Sequence, residues 1–166
     1  SNCGEYAVVL NIGGTYDFKH CTFANYYSYF SRSTPTLLIN NFYEDVNGNT
    51  QARDLYQANF TNCIISGNIN AEVSLVKSQQ ADFNNLFDHC LLKLHPDSSI
   101  SNLNQVNSTK INNSDILFMD AYNNDFVLIE NSIAIDAGKL LTEPEVANDI
   151  NGIFRNGMPD IGAYEY

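Results

Sequence analysis

Three stretches of the chain repeat one arrangement of apolar and polar positions, aromatic-x-(His or Asn)-Cys-x-apolar. They are Phe18-Lys19-His20-Cys21-Thr22-Phe23, Phe60-Thr61-Asn62-Cys63-Ile64-Ile65 and Phe87-Asp88-His89-Cys90-Leu91-Leu92. In each copy the aromatic and the cysteine stand three apart, while the cysteine and the next apolar residue stand two apart. Strand alternation needs even spacing. The odd step predicts a sharp turn at the two intervening residues, after which the inward face resumes. His and Asn, which hold the second of those positions, accept unusual backbone angles. Each copy therefore predicts a strand, a bend and a second strand, with Asn2-Cys3 as the remnant of a further copy.

A third strand is expected at a variable distance from the bends. Thr36-Leu37-Leu38-Ile39-Asn40 follows the first copy, Glu72-Val73-Ser74-Leu75-Val76-Lys77 the second, and Tyr6-Ala7-Val8-Val9-Leu10-Asn11-Ile12 precedes both. The connectors are rich in Gly and Asn, and no segment carries a helical period. Three short strands per coil, repeated, predict an all-β chain wound as a parallel β-helix. Coils are expected over residues 1–115, with the last coil and a C-terminal capping segment over 116–166. The opening Ser1-Asn2-Cys3-Gly4 reads as mid-repeat, so further coils are expected upstream.

Asn is roughly one residue in seven, far above ordinary usage, which fits many tight turns. Only 16% of residues are charged, yet 19 acids against eight Lys and Arg give a net charge of -11. That balance argues against nucleic acid and anionic membranes as partners, because little is present to neutralise phosphates. No stretch reaches the length and hydropathy of a membrane span.

The closing segment reads Asn131-Ser132-Ile133-Ala134-Ile135-Asp136-Ala137-Gly138, then Asp149-Ile150-Asn151-Gly152-Ile153-Phe154-Arg155, then Pro159-Asp160-Ile161-Gly162-Ala163-Tyr164-Glu165. With the repeat unit, it resembles bacterial (Bacteroides-type) right-handed parallel β-helix proteins of the pectate-lyase-like superfamily. Ile133 departs from the Pro usual there. The resemblance implies a right-handed β-helix at the cell surface or outside the cell. It says little of activity, since such folds host lyases, hydrolases, epimerases and non-catalytic surface proteins alike.

Cys3, Cys21, Cys63 and Cys90 hold equivalent repeat positions, so they are expected to stack as buried free thiols. His20 and His89 could be general bases, but they share their position with Asn62, which favours turn geometry. Lys19, Arg53 and Lys93 are the cations a lyase would need, with Glu44, Asp45 and Asp54 the nearest acids, and their spacing matches no lyase signature. Asp45-Val46-Asn47-Gly48-Asn49 and Asp149-Ile150-Asn151-Gly152 faintly resemble calcium loops but lack the right glycine and a distal Glu. No cofactor is implied beyond a Ca²⁺ ion that such loops would hold.

Tyr26, Tyr27 and Tyr29, followed by Phe30 and Arg32, form either an aromatic platform for sugar rings or the packing beneath their own loop. Asp136, Arg155, Asp160 and Glu165 are expected to join as a structural cap, with Arg155 bridging acids. The expectation is a monomeric, non-catalytic β-helix domain whose partner is a polysaccharide. The alternative is a fragment of an extracellular polysaccharide lyase or glycoside hydrolase.

Overall fold

The structure, a computed structural model, describes residues 1–142, 146–155 and 157–166. The described residues form an all-β fold, with single-turn 3₁₀ helices at Ile100–Asn102 and Ala121–Asn123. Strands are numbered in chain order. One parallel sheet holds β1 (Val8–Leu10), β4 (Leu37–Asn40) and β9 (Val73–Val76). A second holds β2 (Gly14–Lys19), β7 (Leu55–Thr61), β10 (Phe83–Asp88) and β12 (Gln105–Val106), and a third β3 (Thr22–Asn25), β8 (Ile64–Gly67), β11 (Leu91–Lys93) and β13 (Thr109–Ile111). The chain visits these sheets in rotation as far as β11 and then passes directly to β12 of the second sheet. Two antiparallel pairs stand apart, β5 (Phe42–Glu44) with β6 (Thr50–Ala52), and β14 (Phe118–Asp120) with β15 (Asp125–Leu128).

The bends between the second and third sheets fall where the odd spacing predicts. His20, Asn62 and His89 have φ of 50°, 54° and 51°. A fourth bend, Asn107 at φ 49°, joins β12 to β13. Here Gln105 and Ser108 replace the aromatic and the cysteine, and the sequence pattern missed it. Asn2 also has positive φ. Its amide, however, donates to Ala24 O, and its side chain accepts from Tyr26 N and donates to Ala121 O. Asn2-Cys3 therefore lies beside the end of β3 and not beneath the other bends, which corrects the expectation for Cys3.

Inside the coils, identical residues stack. Phe18 pairs in register with Phe60, and Phe60 with Phe87. Both neighbouring ring pairs are stacked with centroids 5.0 Å apart. The thiols form a parallel ladder: Cys63 Sγ donates to Phe18 O and Cys90 Sγ to Phe60 O, and Ser108 Oγ continues it to Phe87 O. Cys3, Cys21, Cys63 and Cys90 are all free. Burial pushes the Cys63 thiol well up, so it stays protonated.

All four residues of β8 are buried, because the third sheet is covered on both sides. Ile65 and Leu92 face the interior with Phe60 and Phe87. Ile64, Leu91 and Ile111 face outward, against Leu117, Phe118, Phe126, Leu128, Ala134 and Ile161. The C-terminal segment thus lies along the flank of the coils and reaches back to the first of them, where Ala163 N donates to Thr22 Oγ1. The sequence reading placed it as a cap on the last coil. The apolar outward face of the third sheet draws it to the side instead.

Candidate functional site

Three clefts adjoin on the side where residues 26–36, 68–72 and 112–122 leave the third sheet. The central one, about 400 Å³, lies between Gly67, Asn68 and Lys93 on the coils and the stretch 111–122. A neighbour of about 310 Å³ shares Lys93, Ile111, Asn112 and Asn113 with it, and another of about 510 Å³ shares Asn68 and Tyr122. Through these shared walls the three clefts adjoin and form one grooved face beside the third sheet.

The groove's floor is a buried charge cluster. Arg32, a candidate sugar-binding residue with the tyrosines, turns inward, and its side chain and that of Glu72 are both 0% exposed. Its two terminal nitrogens reach Glu72 at 2.6 and 2.9 Å and also bond Asn25 O, Thr34 O and Asn68 Oδ1. Glu72 further accepts from Thr36 N, Thr36 Oγ1 and Ile69 N. A guanidinium desolvated this far must be paired, which is why Arg32 is not presented to a ligand. Gly67 makes the cluster possible: a Cβ there would sit 2.2 Å from Glu72 Oε1 and 2.5 Å from Asn25 O. Lys93 lies beside the pair and donates to Gly67 O. Burial holds its ammonium below the usual lysine range, Arg32 adds to the effect and Glu72 opposes it.

The aromatic residues divide into two groups. Tyr26 packs edge-on to Phe118 and Tyr122, with centroids 6.3 and 5.5 Å apart, and burial raises its phenol. Tyr27 contacts Tyr29 at 5.5 Å and Phe30 at 4.9 Å. Tyr29 is 89% exposed and Phe30 64%. Tyr122, missed by the sequence reading, is 57% exposed and belongs to both the central cleft and the one lined by Tyr27 and Phe30. Only the fold brings it beside residues 26–30.

The predicted cap residues meet at the flank. Arg155 pairs with Glu165 and donates to Asp160 O and Gly162 O. Asp160 accepts from the Asp136 and Tyr166 amides, and Glu165 from the Asp160 amide. Asn62 fastens the segment to the coils: its side chain exchanges two hydrogen bonds with the Lys139 backbone (2.7 and 2.8 Å), and its carbonyl accepts from Gly162 N. Gly162, at φ +108°, passes so close that a Cβ would lie 2.8 Å from Ile64 and Thr22. His20 sits beneath this segment, 2.9 Å from Asn62. Burial, then the nearby Arg155 charge, lowers its pKa to about 4, so the ring is neutral near pH 7.

The calcium-like loops satisfy themselves. Asp45 accepts from the Asn47 and Asn49 amides and from the Asn49 and Gln51 side chains, and Asp149 accepts from the amides of Asn151, Ile153 and Glu165. The Asn49 and Asn47 amides hold the Asp45 carboxyl below its usual range. Among the described residues no cluster of three or more His, Cys, Asp and Glu side chains could hold a metal ion. Lys19 pairs with Asp17. His89 Nδ1 lies 2.6 Å from Asp88 Oδ1, and Asp88 Oδ2 accepts from Lys139 at 2.9 Å. No protein-family model matches the chain, and no curated protein matches it either.

Proposed function

We propose that the chain is a run of coils from a right-handed parallel β-helix of the pectate-lyase-like kind, secreted or displayed on a cell surface, that binds carbohydrate without cleaving it. The rotation through three parallel sheets, the one-residue left-handed bends and the closing motif support the architecture. One observation carries the function: aromatic rings and amide side chains line a groove, beside Asp115 and Asp120, while its cations Arg32 and Lys93 are buried. Tyr27, Phe30 and Tyr122 offer apolar faces, and Asn68, Asn112 and Asn113 offer amides. Sugar rings present the complementary mix of apolar faces and hydroxyl edges. Titration calorimetry of the purified chain against a panel of oligosaccharides tests the reading. Micromolar to millimolar binding that Tyr122→Ala weakens several-fold is expected, and no heat with any glycan overturns it.

A second reading rests on the His89–Asp88 pair with Lys139 beside it, which is the arrangement a general base needs. On that reading the chain belongs to an extracellular polysaccharide lyase or glycoside hydrolase. Release of unsaturated products or reducing ends, abolished by His89→Asn, would establish it. Asn already occupies the equivalent bend at Asn62 and Asn107, so the variant leaves the backbone undisturbed.

A further inference from the structure

Resting on that reading, we infer that the groove's ligand is an extended, uncharged glycan chain rather than an acidic one or a single sugar. Charge is the first argument. The cations near the groove are spent internally, Arg32 in its pair with Glu72 and Lys93 on Gly67 O. The acids are on the groove itself: Asp115 and Asp120 line the central cleft. Asp115 uses one oxygen on the Asn112 amide, and Asp120 bonds only its own turn at Asn123. An incoming uronate carboxylate would meet these two acids and a molecule of net charge -11, while the two cations bordering the clefts, Arg32 and Lys93, are buried.

Length is the second argument. The groove runs from the loop after β3 to the loop after β13, which is three steps of roughly 4.8 Å along the stack. Its aromatic faces gather at one end, where Tyr27, Phe30 and Tyr122 line one cleft, and Tyr122 also borders the central one with its amide side chains Asn68, Asn112 and Asn113. A chain stacked on those rings extends past Asn68 towards Asn112 and Asn113, and a monosaccharide fills only one cleft.

The test titrates the intact chain with neutral gluco-, xylo- and manno-oligosaccharides of one to six residues and with oligogalacturonate and oligoalginate of matched length. Neutral chains should bind, with affinity rising about ten-fold from one to four residues. Tyr122→Ala and Tyr27→Ala should each weaken the tetramer by about five-fold, while Tyr122→Phe stays near the parent. Asp115→Asn with Asp120→Asn keeps both turn-capping acceptors and should narrow the gap between neutral and acidic chains. Thermal melts of each variant separate loss of binding from loss of fold. Preference for the uronate chains, or a monosaccharide binding as tightly as the tetramer, overturns this inference and leaves carbohydrate binding standing. If no glycan binds, the proposed function falls and this inference with it.

Discussion

In the coils each rung repeats its neighbour: Phe on Phe, thiol over the carbonyl of the rung before, one bend residue at φ near 50°. In the flank segment nothing repeats. It is held by single appointments, Arg155 with Glu165, Asp160 with the Asp136 and Tyr166 amides, and Asn62 with Lys139 and Gly162. Yet both cover the same sheet, from inside and outside. A stack shares its load, because Phe60 touches both Phe18 and Phe87 and apolar burial is non-directional. A polar clamp is directional and fails when one donor is removed. The coils should therefore unfold as one body, and the flank should be able to open alone.

The largest expected effect attacks the stack. Phe60 is fully buried between Phe18 and Phe87. Phe60→Ala should cost about 3–5 kcal/mol in urea unfolding, with coil and flank probes shifting together. A loss below about 1 kcal/mol would mean that the rings do not hold the coils.

Next comes the clamp. Arg155→Ala leaves Glu165 without its cation and frees the Asp160 and Gly162 carbonyls, at a cost of about 3 kcal/mol. Hydrogen exchange sharpens the contrast: amides of Ile161 and Gly162 should lose protection while those of Phe60 and Ile65 keep theirs. Equal loss in both regions would show one cooperative unit and erase the distinction.

The smallest effect is a pH dependence confined to the seam between the two. His20 falls from its ordinary 6.5 to about 4 in the folded chain. Between those values the unfolded chain takes up a proton that the folded chain refuses. The group's full stability is thus present above pH 6.5 and is lost as pH falls towards 4. The gap corresponds to at most about 3 kcal/mol; partial solvent access reduces it to roughly 1.5. Glu165, whose carboxyl burial raises, offsets part of this, so the measurement compares the parent with His20→Asn across pH 6.5 to 4. A parallel pair of stability curves would remove His20 from the account.

The same contrast explains what could be read in the sequence. The repeat was legible because stacking requires like residues at like positions, and that requirement is written three times over, at Phe18, Phe60 and Phe87. Asn107 escaped because its coil meets the same needs with other atoms, the Ser108 hydroxyl replacing a thiol as donor. Double-sided burial of the third sheet had a signal, the consecutive apolar pairs Ile64-Ile65 and Leu91-Leu92. The meeting of Arg155 with Glu165 followed from the closing motif, but its place on the flank depended on a surface 100 residues upstream. Arg32 and Glu72 were invisible as a pair, since neither has a partner at any local spacing. Tyr122 joins Tyr26 and Tyr27 through the fold alone.

The bends have a consequence for how such a molecule can change over generations. At all four of them a single left-handed residue turns the chain, and the strands on either side stay in register. That corner leaves no room for extra residues, and at the other two the connections range from residues 11–13 to the hairpin-bearing 41–54 and from 68–72 to 26–36. One edge of the molecule is therefore a hinge line that resists insertion, and the others are open ground. Loops of different length fit there without shifting a rung, as the connections 26–36 and 68–72 show.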